Sequence, residues 1–314
     1  MISVVTPTYR RTQEVGGLLE NLSAQTLLPE EVILVDGAPI AEKGTEELVR
    51  SLMPSLPFRC RYIRHPRGTA IQRNAGIDRA KGSFIALIDD DVRLEPDFLE
   101  ASVGVFEQDK ERKVGGVVGY RTNQHFDPAS AQRWRWYRRL RMLTTYEPGR
   151  YDFRTGYPIN ANMQAPFSGV REVDFMTTAC AVWRREVFET GLRFDSFFSD
   201  YGVLEDAHFA LHAGRQWQLL QCGDAHCREM SSQNGRVDRR SIGYKCVVNY
   251  YYVFQDIVRP LTWQHKARFW RYQGFEFFRI AASAIRRHRS SDVTELRGRL
   301  EGVFSVLRGT AFTR

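Results

Sequence analysis

At 314 residues and 43% hydrophobic side chains, the chain is long enough to bury a sizeable core in one large α/β domain, or in one domain with an appendage, which excludes a wholly disordered protein. Lysine and arginine outnumber aspartate and glutamate by 45 to 37, and the resulting +8 favours an anionic partner: nucleotide, nucleic acid or acidic lipid headgroups. No stretch approaches the roughly 18–20 uninterrupted apolar residues of a bilayer span, and the opening MISVVTPTYRR lacks the basic leader and cleavage site of a secretory signal, so a cytoplasmic protein is expected. In chain order, 2–6 (ISVVT), 32–35 (VILV) and 84–88 (FIALI) are short apolar runs, each followed by polar or acidic residues, which predicts buried parallel strands. Residues 12–25 carry Leu18, Leu19 and Leu22 at helical spacing, and 45–52 predicts a second helix. Strand alternating with helix implies right-handed βαβ units in a doubly wound, mostly parallel, Rossmann-like α/β sheet, whose ligands bind beyond the carboxyl ends of the strands. Three polar tips mark that place: Thr6-Pro7-Thr8-Tyr9, Asp36-Gly37 and Asp89-Asp90-Asp91.

GGVVGY (115–120) predicts a further strand, after which 121–172 is irregular and rich in arginine, aromatics, proline and asparagine, suiting acceptor-side loops. Regular patterning resumes at 175–188, continues through LEDAHFALHAG (204–214), and gives another strand near WQLLQC (217–222). Beyond about residue 236 the pattern is helical. The expected division is a catalytic domain over 1–235, with a nucleotide-binding half (1–120) and an acceptor-side half (121–235), followed by a helical extension over 236–314. The five cysteines are odd in number and scattered, and read as reduced and structural.

Three carboxylates at the exit of one buried strand repel one another, and a divalent cation relieves that repulsion. Oxygen-only ligands suit Mg²⁺ or Mn²⁺, which bridge carboxylates to a diphosphate. The alternative is an acidic turn preceding the helix that begins near Pro96 and Asp97. Upstream, RGTAIQRNAG (67–76) sets Gly68 and Gly76 around Arg73 and Asn74, and the planar fork of Arg73 suits phosphate oxygens, against the plainer reading of a surface arginine. Glu205 and Asp206 open a helix, where carboxylates serve either as caps stabilised by the helix dipole or as a general base for an acceptor hydroxyl.

With these segments in this order, the chain resembles a family 2 glycosyltransferase of the GT-A fold, the inverting, nucleotide-sugar-dependent type. VVTPTYRR resembles the family's opening strand and nucleotide-binding turn, VILVDGA the second strand with its base-contacting acid, and AIQRNAGIDRAKGSFIALIDDDVRLEPDFL the signature ending in the metal site. TTACAVWRREVF with FDSFFSDYGVLEDAHFALHAGRQWQLL resembles the acceptor-side block, so the likeness covers roughly residues 1–230. The resemblance implies that Thr6, Pro7, Tyr9 and Asp36 flank the nucleoside, that Arg73 and Asn74 lie near the diphosphate or the nucleoside edge, that Asp90 holds the ribose and Asp91 the metal, and that Asp89 supports either role. It makes Asp206 the base and Glu205 the orienting or alternative acid. Where many members carry a metal-ligating histidine after the last sheet strand, GDAHCRE (223–229) places Glu229, with His226 three positions early; in a strand the two face opposite ways, and an oxygen ligand suits Mg²⁺ or Mn²⁺, which favours Glu229. Asp36 is followed by Gly37 where many members have a second acid, and the QxxRW motif of processive synthases is missing, so transfer of a single sugar is implied.

RWRWYRRLRM (133–142) and HKARFWRYQGFEFFRIAASAIRRHR (265–289) interleave aromatics with arginines, a composition suited to an anionic headgroup interface or to helices packed on the catalytic domain. The expectation is a cytoplasmic transferase, peripheral at the inner face of the plasma membrane, using a UDP- or dTDP-sugar and a glycan or lipid-linked acceptor, with no nucleic-acid partner. The competing readings are a sugar nucleotidyltransferase, which usually carries a glycine-rich basic loop where this chain has TPTYRR, and a degenerate glycan- or membrane-binding protein.

Overall fold

The computed structural model describes residues 1–127, 131–198, 200, 202–230 and 238–312, and the side chain of Arg287 is left out of the description. The expected boundary at 235/236, and Ser199 and Tyr201 of the FFSDYG stretch, lie outside the described residues. The chain divides into two compact units: Met1–Asp127 with Asn160–Gly235, and Pro128–Ile159 with Arg236–Arg314. Residues 128–159, expected above in the acceptor-side half, thus group with the C-terminal helices.

The first unit holds strands β1 (Ile2–Thr8), β2 (Glu31–Asp36), β3 (Arg59–Arg64), β4 (Phe84–Ile88), β5 (Val92–Leu94) and β6 (Val114–Arg121). Between them run helices α1 (Thr12–Ser23), α2 (Gly44–Leu52), α3 (Thr69–Ile77) and α4 (Phe98–Gln108). In the second unit lie α5 (Gln132–Arg139) and the short hairpin β7 (Tyr151–Asp152) and β8 (Tyr157–Pro158). The first unit resumes with β9 (Val170–Glu172), β10 (Cys180–Arg184), α6 (Arg185–Glu189), α7 (Glu205–Ala213) and β11 (Gln218–Glu229), and the second with α8 (Arg239–Ile257), α9 (Trp263–Arg287) and α10 (Ser290–Leu307).

Strand order is β3-β2-β1-β4-β10-β6-β11-β5, with β9 beside β11. β1 pairs in parallel with β2 and with β4, and β2 with β3, whereas β10 runs antiparallel between β4 and β6. The doubly wound, mostly parallel sheet is therefore as expected, with β10, β5 and β9 as reversed members. Its central strands are buried along their whole length, which is why they read as continuous apolar runs and not as alternation. β3, RCRYIR, escapes that signature because it is the edge strand: three arginines on a half-buried ribbon keep the open edge from pairing with another chain. Helix α1 buries Val15, Leu18, Leu19 and Leu22 as one stripe. Helix α3 lies so close on the sheet that a Cβ at Gly76 would meet Val5 Cγ1 at 2.3 Å, so only glycine fits.

The second unit is organised around buried aromatics. Tyr137 of α5 donates a 2.5 Å hydrogen bond to Glu276 of α9, which also pairs with Arg133 at 3.2 Å and Arg279 at 3.0 Å. Trp134, Tyr157 and Tyr272 pack around Tyr137 with ring centroids 5.3–6.1 Å away. Among the described residues no helix is long and apolar enough to cross a membrane, and all five cysteines are free.

Candidate active site

β1 and β4 run side by side in parallel, Ile2 opposite Phe84 through Val5 opposite Leu87, so their carboxyl ends open onto one space. A cleft of about 220 Å³ occupies it. Its walls are Pro7, Thr8 and Tyr9 after the core of β1, Asp89 and Asp90 beyond β4, Arg73 of α3, Glu205 and Asp206 opening α7, Arg121 ending β6 and Glu229 ending β11. Segments more than two hundred residues apart, Pro7 and Glu229 at the extremes, thus converge at the strand ends, where α/β sheets bind ligands.

Arg73 is buried and bridges two walls: its terminal nitrogens donate to Asp89 Oδ1 at 2.8 Å and Glu205 Oε1 at 2.5 Å. Glu205 Oε1 also accepts from the Thr69 hydroxyl at 2.7 Å, while Oε2 is buried with no hydrogen-bond partner among the described residues. That oxygen lies only 1.3 Å from where a Cβ on Gly202 would stand, so a side chain there would evict the carboxylate. Burial pushes the Glu205 carboxyl up to about 7 against the pull of Arg73. Burial also raises Asp206, opposed by its 2.7 Å bond from the Ala207 amide and then by Arg73.

On the opposite wall, Asp90 accepts from the Thr8 hydroxyl at 2.7 Å through Oδ2 and from Arg11 at 2.7 Å through Oδ1. The same Arg11 nitrogen reaches Asp91 Oδ2 at 3.2 Å. Burial pushes Asp90 up to about 6 despite Arg11 and Thr8. Glu229 stands opposite Val92 in the antiparallel β5–β11 pair, and the next amide, Met230, donates to the Asp91 carbonyl at 2.7 Å, so strand pairing delivers this carboxylate beside the acid run. Its side chain accepts from Arg121 at 2.8 Å. The chemistry of the donor set suits Mg²⁺ or Mn²⁺, since it is all oxygen and an added positive charge would favour the ionised form of the desolvated Asp90, but among the described residues no three of these carboxylates bring ligand atoms within 4.8 Å of one another.

Several expected residues stand elsewhere. Asp36 is fully buried, and its carboxylate accepts from the Ala38 amide at 2.8 Å and the Tyr62 hydroxyl at 2.5 Å, so it holds the end of β2 and is not among the residues lining this cleft. The Asn74 amide both donates to and accepts from the Phe194 backbone, at 2.8 and 2.9 Å, fastening α3 to a loop. Thr6 lies inside the sheet, since β1 continues to Thr8. Asp91 pairs with Arg11, which lines the cleft, and is not itself among the lining residues. His226 also stands outside that wall, its ring edge-on to Tyr120 with centroids 6.2 Å apart, leaving Glu229 as the one of that pair in the cleft.

Sequence reasoning missed Arg11, Arg67, Thr69, Arg121 and Asp200, all lining the cleft. Arg67 stacks over the Tyr9 ring at 4.2 Å, and its Nε lies 3.9 Å from Asp200. Arg11 had a signal in its place within TYRR, whereas Arg121 acquires meaning only through a partner 108 residues away. Arg10, Asp200 and Leu204 adopt positive φ (56°, 54° and 70°), so backbone strain of order 1–3 kcal/mol each is held around the cleft.

The sequence profile of Glycosyl transferase family 2 matches residues 3–192. Among curated relatives, the uncharacterized glycosyltransferase YwdF of Bacillus subtilis (strain 168) is 38% identical over 100 residues, covering 32% of this chain and 35% of that protein. Succinoglycan biosynthesis protein ExoM of Rhizobium meliloti (strain 1021) is 31% identical over 160 residues, 49% of this chain and 48% of that protein. Each match thus spans less than half of the relative. Among solved structures, the mannosyltransferase PcManGT from Pyrobaculum calidifontis, in complex with GDP-Man and Mn²⁺, superposes with a TM-score of 0.57 at 16% identity, covering 97% of this chain and 87% of that one. GalNAc-T7 with UDP, GalNAc and Mn²⁺ gives 0.59 at 15% identity, with 81% and 47% covered. These likenesses establish the GT-A fold.

Proposed function

The chain belongs to glycosyl transferase family 2, and on that premise we propose that it is an inverting, metal-assisted enzyme that transfers one sugar from a nucleoside diphosphate sugar to a hydroxyl of a glycan or lipid-linked acceptor. UDP- and dTDP-sugars are the favoured donors, and the setting is cell-surface polysaccharide assembly, in keeping with the name of its relative ExoM. The observation that carries the reading is one cleft with an acid run on one wall and the carboxylates of α7 on another, joined through Arg73.

Asp91 and Glu229, with Asp90 beside them, are the residues to hold Mg²⁺ or Mn²⁺, which supplies charge neutralisation for the departing diphosphate when bound. Thr8 and Tyr9, with Pro7, border the nucleoside end of the cleft. Asp206 removes the proton from the acceptor hydroxyl as that oxygen attacks the anomeric carbon, and a single displacement inverts the configuration. Glu205, tied to Thr69 and Arg73, orients that wall. In this reading Arg73 is a strut between the walls, because both of its terminal nitrogens already hold carboxylates.

The second unit is the part suited to an anionic membrane surface. Phe278 and Ile285 of α9, seven residues apart and therefore on one face, are 74% and 75% exposed, and Arg271 and Arg286 on that helix are exposed too. These exposed apolar and basic side chains support the reading of a peripheral enzyme at the inner face of the plasma membrane.

A thermal-shift panel of nucleoside diphosphates with and without Mn²⁺ tests the donor reading. Stabilisation grows as RT ln(1 + [L]/Kd), about 2.7 kcal/mol at 100-fold excess over Kd, so the cognate nucleotide stands out and does so only with metal. Asp91→Ala is expected to abolish transfer and make nucleotide affinity independent of metal. Near-normal turnover and retained Mn²⁺ dependence in that variant would overturn the metal assignment.

A further inference from the structure

One nitrogen of Arg11 lies between two consecutive carboxylates, 2.7 Å from Asp90 Oδ1 and 3.2 Å from Asp91 Oδ2. A single cationic centre shared by two adjacent acids is the arrangement a divalent ion would otherwise supply. The other oxygen of Asp90 accepts from the Thr8 hydroxyl at 2.7 Å, so both oxygens of this carboxylate are engaged as it stands. The side chain of Arg11 is 19% exposed and lines the cleft, so it reaches the space assigned above to the donor. Arg93 also feels the charges of Asp90 and Asp91, but its guanidinium donates to the carbonyls of Asp90, Val92 and Glu14, and it is not among the residues lining the cleft. Arg11 is therefore the guanidinium that neutralises this acid pair from the cleft side.

We propose that Arg11 is a positioning residue that stands in for the divalent ion at Asp90 and Asp91, and that the ion and a nucleoside diphosphate displace it together. The inference rests on the metal-assisted reading given above. A cation entering between the two acids meets the guanidinium as a competitor for the same oxygens. The displaced guanidinium is a bidentate donor within a cleft that receives a diphosphate, and phosphate oxygens are its natural partners. The ion thus frees the arginine for the nucleotide, the nucleotide holds the arginine off the acids, and each ligand raises affinity for the other. Such coupling is reciprocal and of the order of 5–150-fold. Without nucleotide, the site disfavours metal.

The test is direct Mn²⁺ binding, by calorimetry or by the electron paramagnetic resonance signal of free Mn²⁺, to wild type, Arg11→Gln and Arg11→Lys, with and without saturating UDP or GDP. Wild type is expected to bind Mn²⁺ weakly alone and about tenfold or more tightly with nucleotide. Arg11→Gln is expected to bind Mn²⁺ alone more tightly than wild type and to lose most of the nucleotide-dependent gain. Arg11→Lys, which keeps the charge, is expected to restore competition with the ion and part of the coupling. Circular dichroism of each variant reports the fold, and Lys rescue separates competition from a packing defect. Unchanged or weaker Mn²⁺ binding in Arg11→Gln, or undiminished coupling, overturns the inference and leaves the metal site standing. Absence of Mn²⁺ binding in every protein, with or without nucleotide, overturns the metal-assisted reading and the inference with it.

Discussion

At the scale of single residues, the two acids opening α7 differ in surroundings and hence in what their removal does. Asp206→Asn is nearly isosteric but a poor proton acceptor, so it should keep nucleotide binding and lose about 10²–10⁴ in turnover. Wild-type turnover, or a product with retained anomeric configuration, would shift the base elsewhere. Glu205 is expected to act on stability. Its folded-state value is raised from 4.5 to about 7, so between those pH values the folded chain keeps a proton that the unfolded chain has released. Stability contributed by this residue is therefore greatest below about 4.5 and is lost as pH rises toward 7. Glu205→Gln, which cannot titrate, should flatten the decline of urea-unfolding free energy across that window; identical slopes for both proteins would mean that Arg73 keeps the carboxylate ionised throughout. These carboxylates were legible as candidates because each opens or follows a clear element. That Asp36 and Asn74 turn inward was not legible, since their partners, Tyr62 and Phe194, belong to segments without a sequence signal of contact.

At the scale of elements, strength of pattern decided what could be read. The buried strands β1, β2 and β4 and the leucine stripe of α1 are written in uninterrupted or periodic apolar residues, and the structure places them within two residues of expectation. The edge strand β3 and the three-residue strands β5 and β9 were not read, because an arginine-rich edge and so short a run carry no periodicity. Yet β5 is what brings Glu229 to the acid run, so a minor element sets the composition of the site. The seating of α3 gives a sharper test. Gly76→Ala gains up to about 1 kcal/mol of helix propensity, but its methyl would lie 2.3 Å from Val5 Cγ1, and overpacking costs about 1–3 kcal/mol. The clash should win, lowering the urea midpoint and, because α3 carries Arg73, weakening nucleotide binding as well. A more stable variant would show that α3 can lift from the sheet without penalty.

At the scale of the whole molecule, the charge of +8 and the exposed apolar faces of the helical unit belong together. On α10, Leu300, Phe304 and Leu307 recur at helical spacing with exposures of 42%, 55% and 68%, and Arg297 and Arg308 are also exposed. Replacing Phe278 and Ile285 by serine, together with Arg286 and Arg289 by glutamate, should abolish association with anionic liposomes while hydrolysis of a soluble donor continues. Wild-type binding should also weaken in high salt, where headgroup attraction is screened; liposome binding indifferent to both salt and substitution would assign these faces to packing. The interleaving of the two units along the chain has a separate consequence, felt before the protein is finished. Tyr137 and its acceptor Glu276 are 139 residues apart, and at ribosomal rates of about 5–20 residues per second the helix that covers α5 is made on the order of ten seconds after it. Throughout that interval Trp134, Tyr137 and Tyr157 lack the helix that will enclose them, so the nascent chain carries a sticky aromatic cluster in its middle, and a chaperone that holds such surfaces has a defined moment and place at which to act.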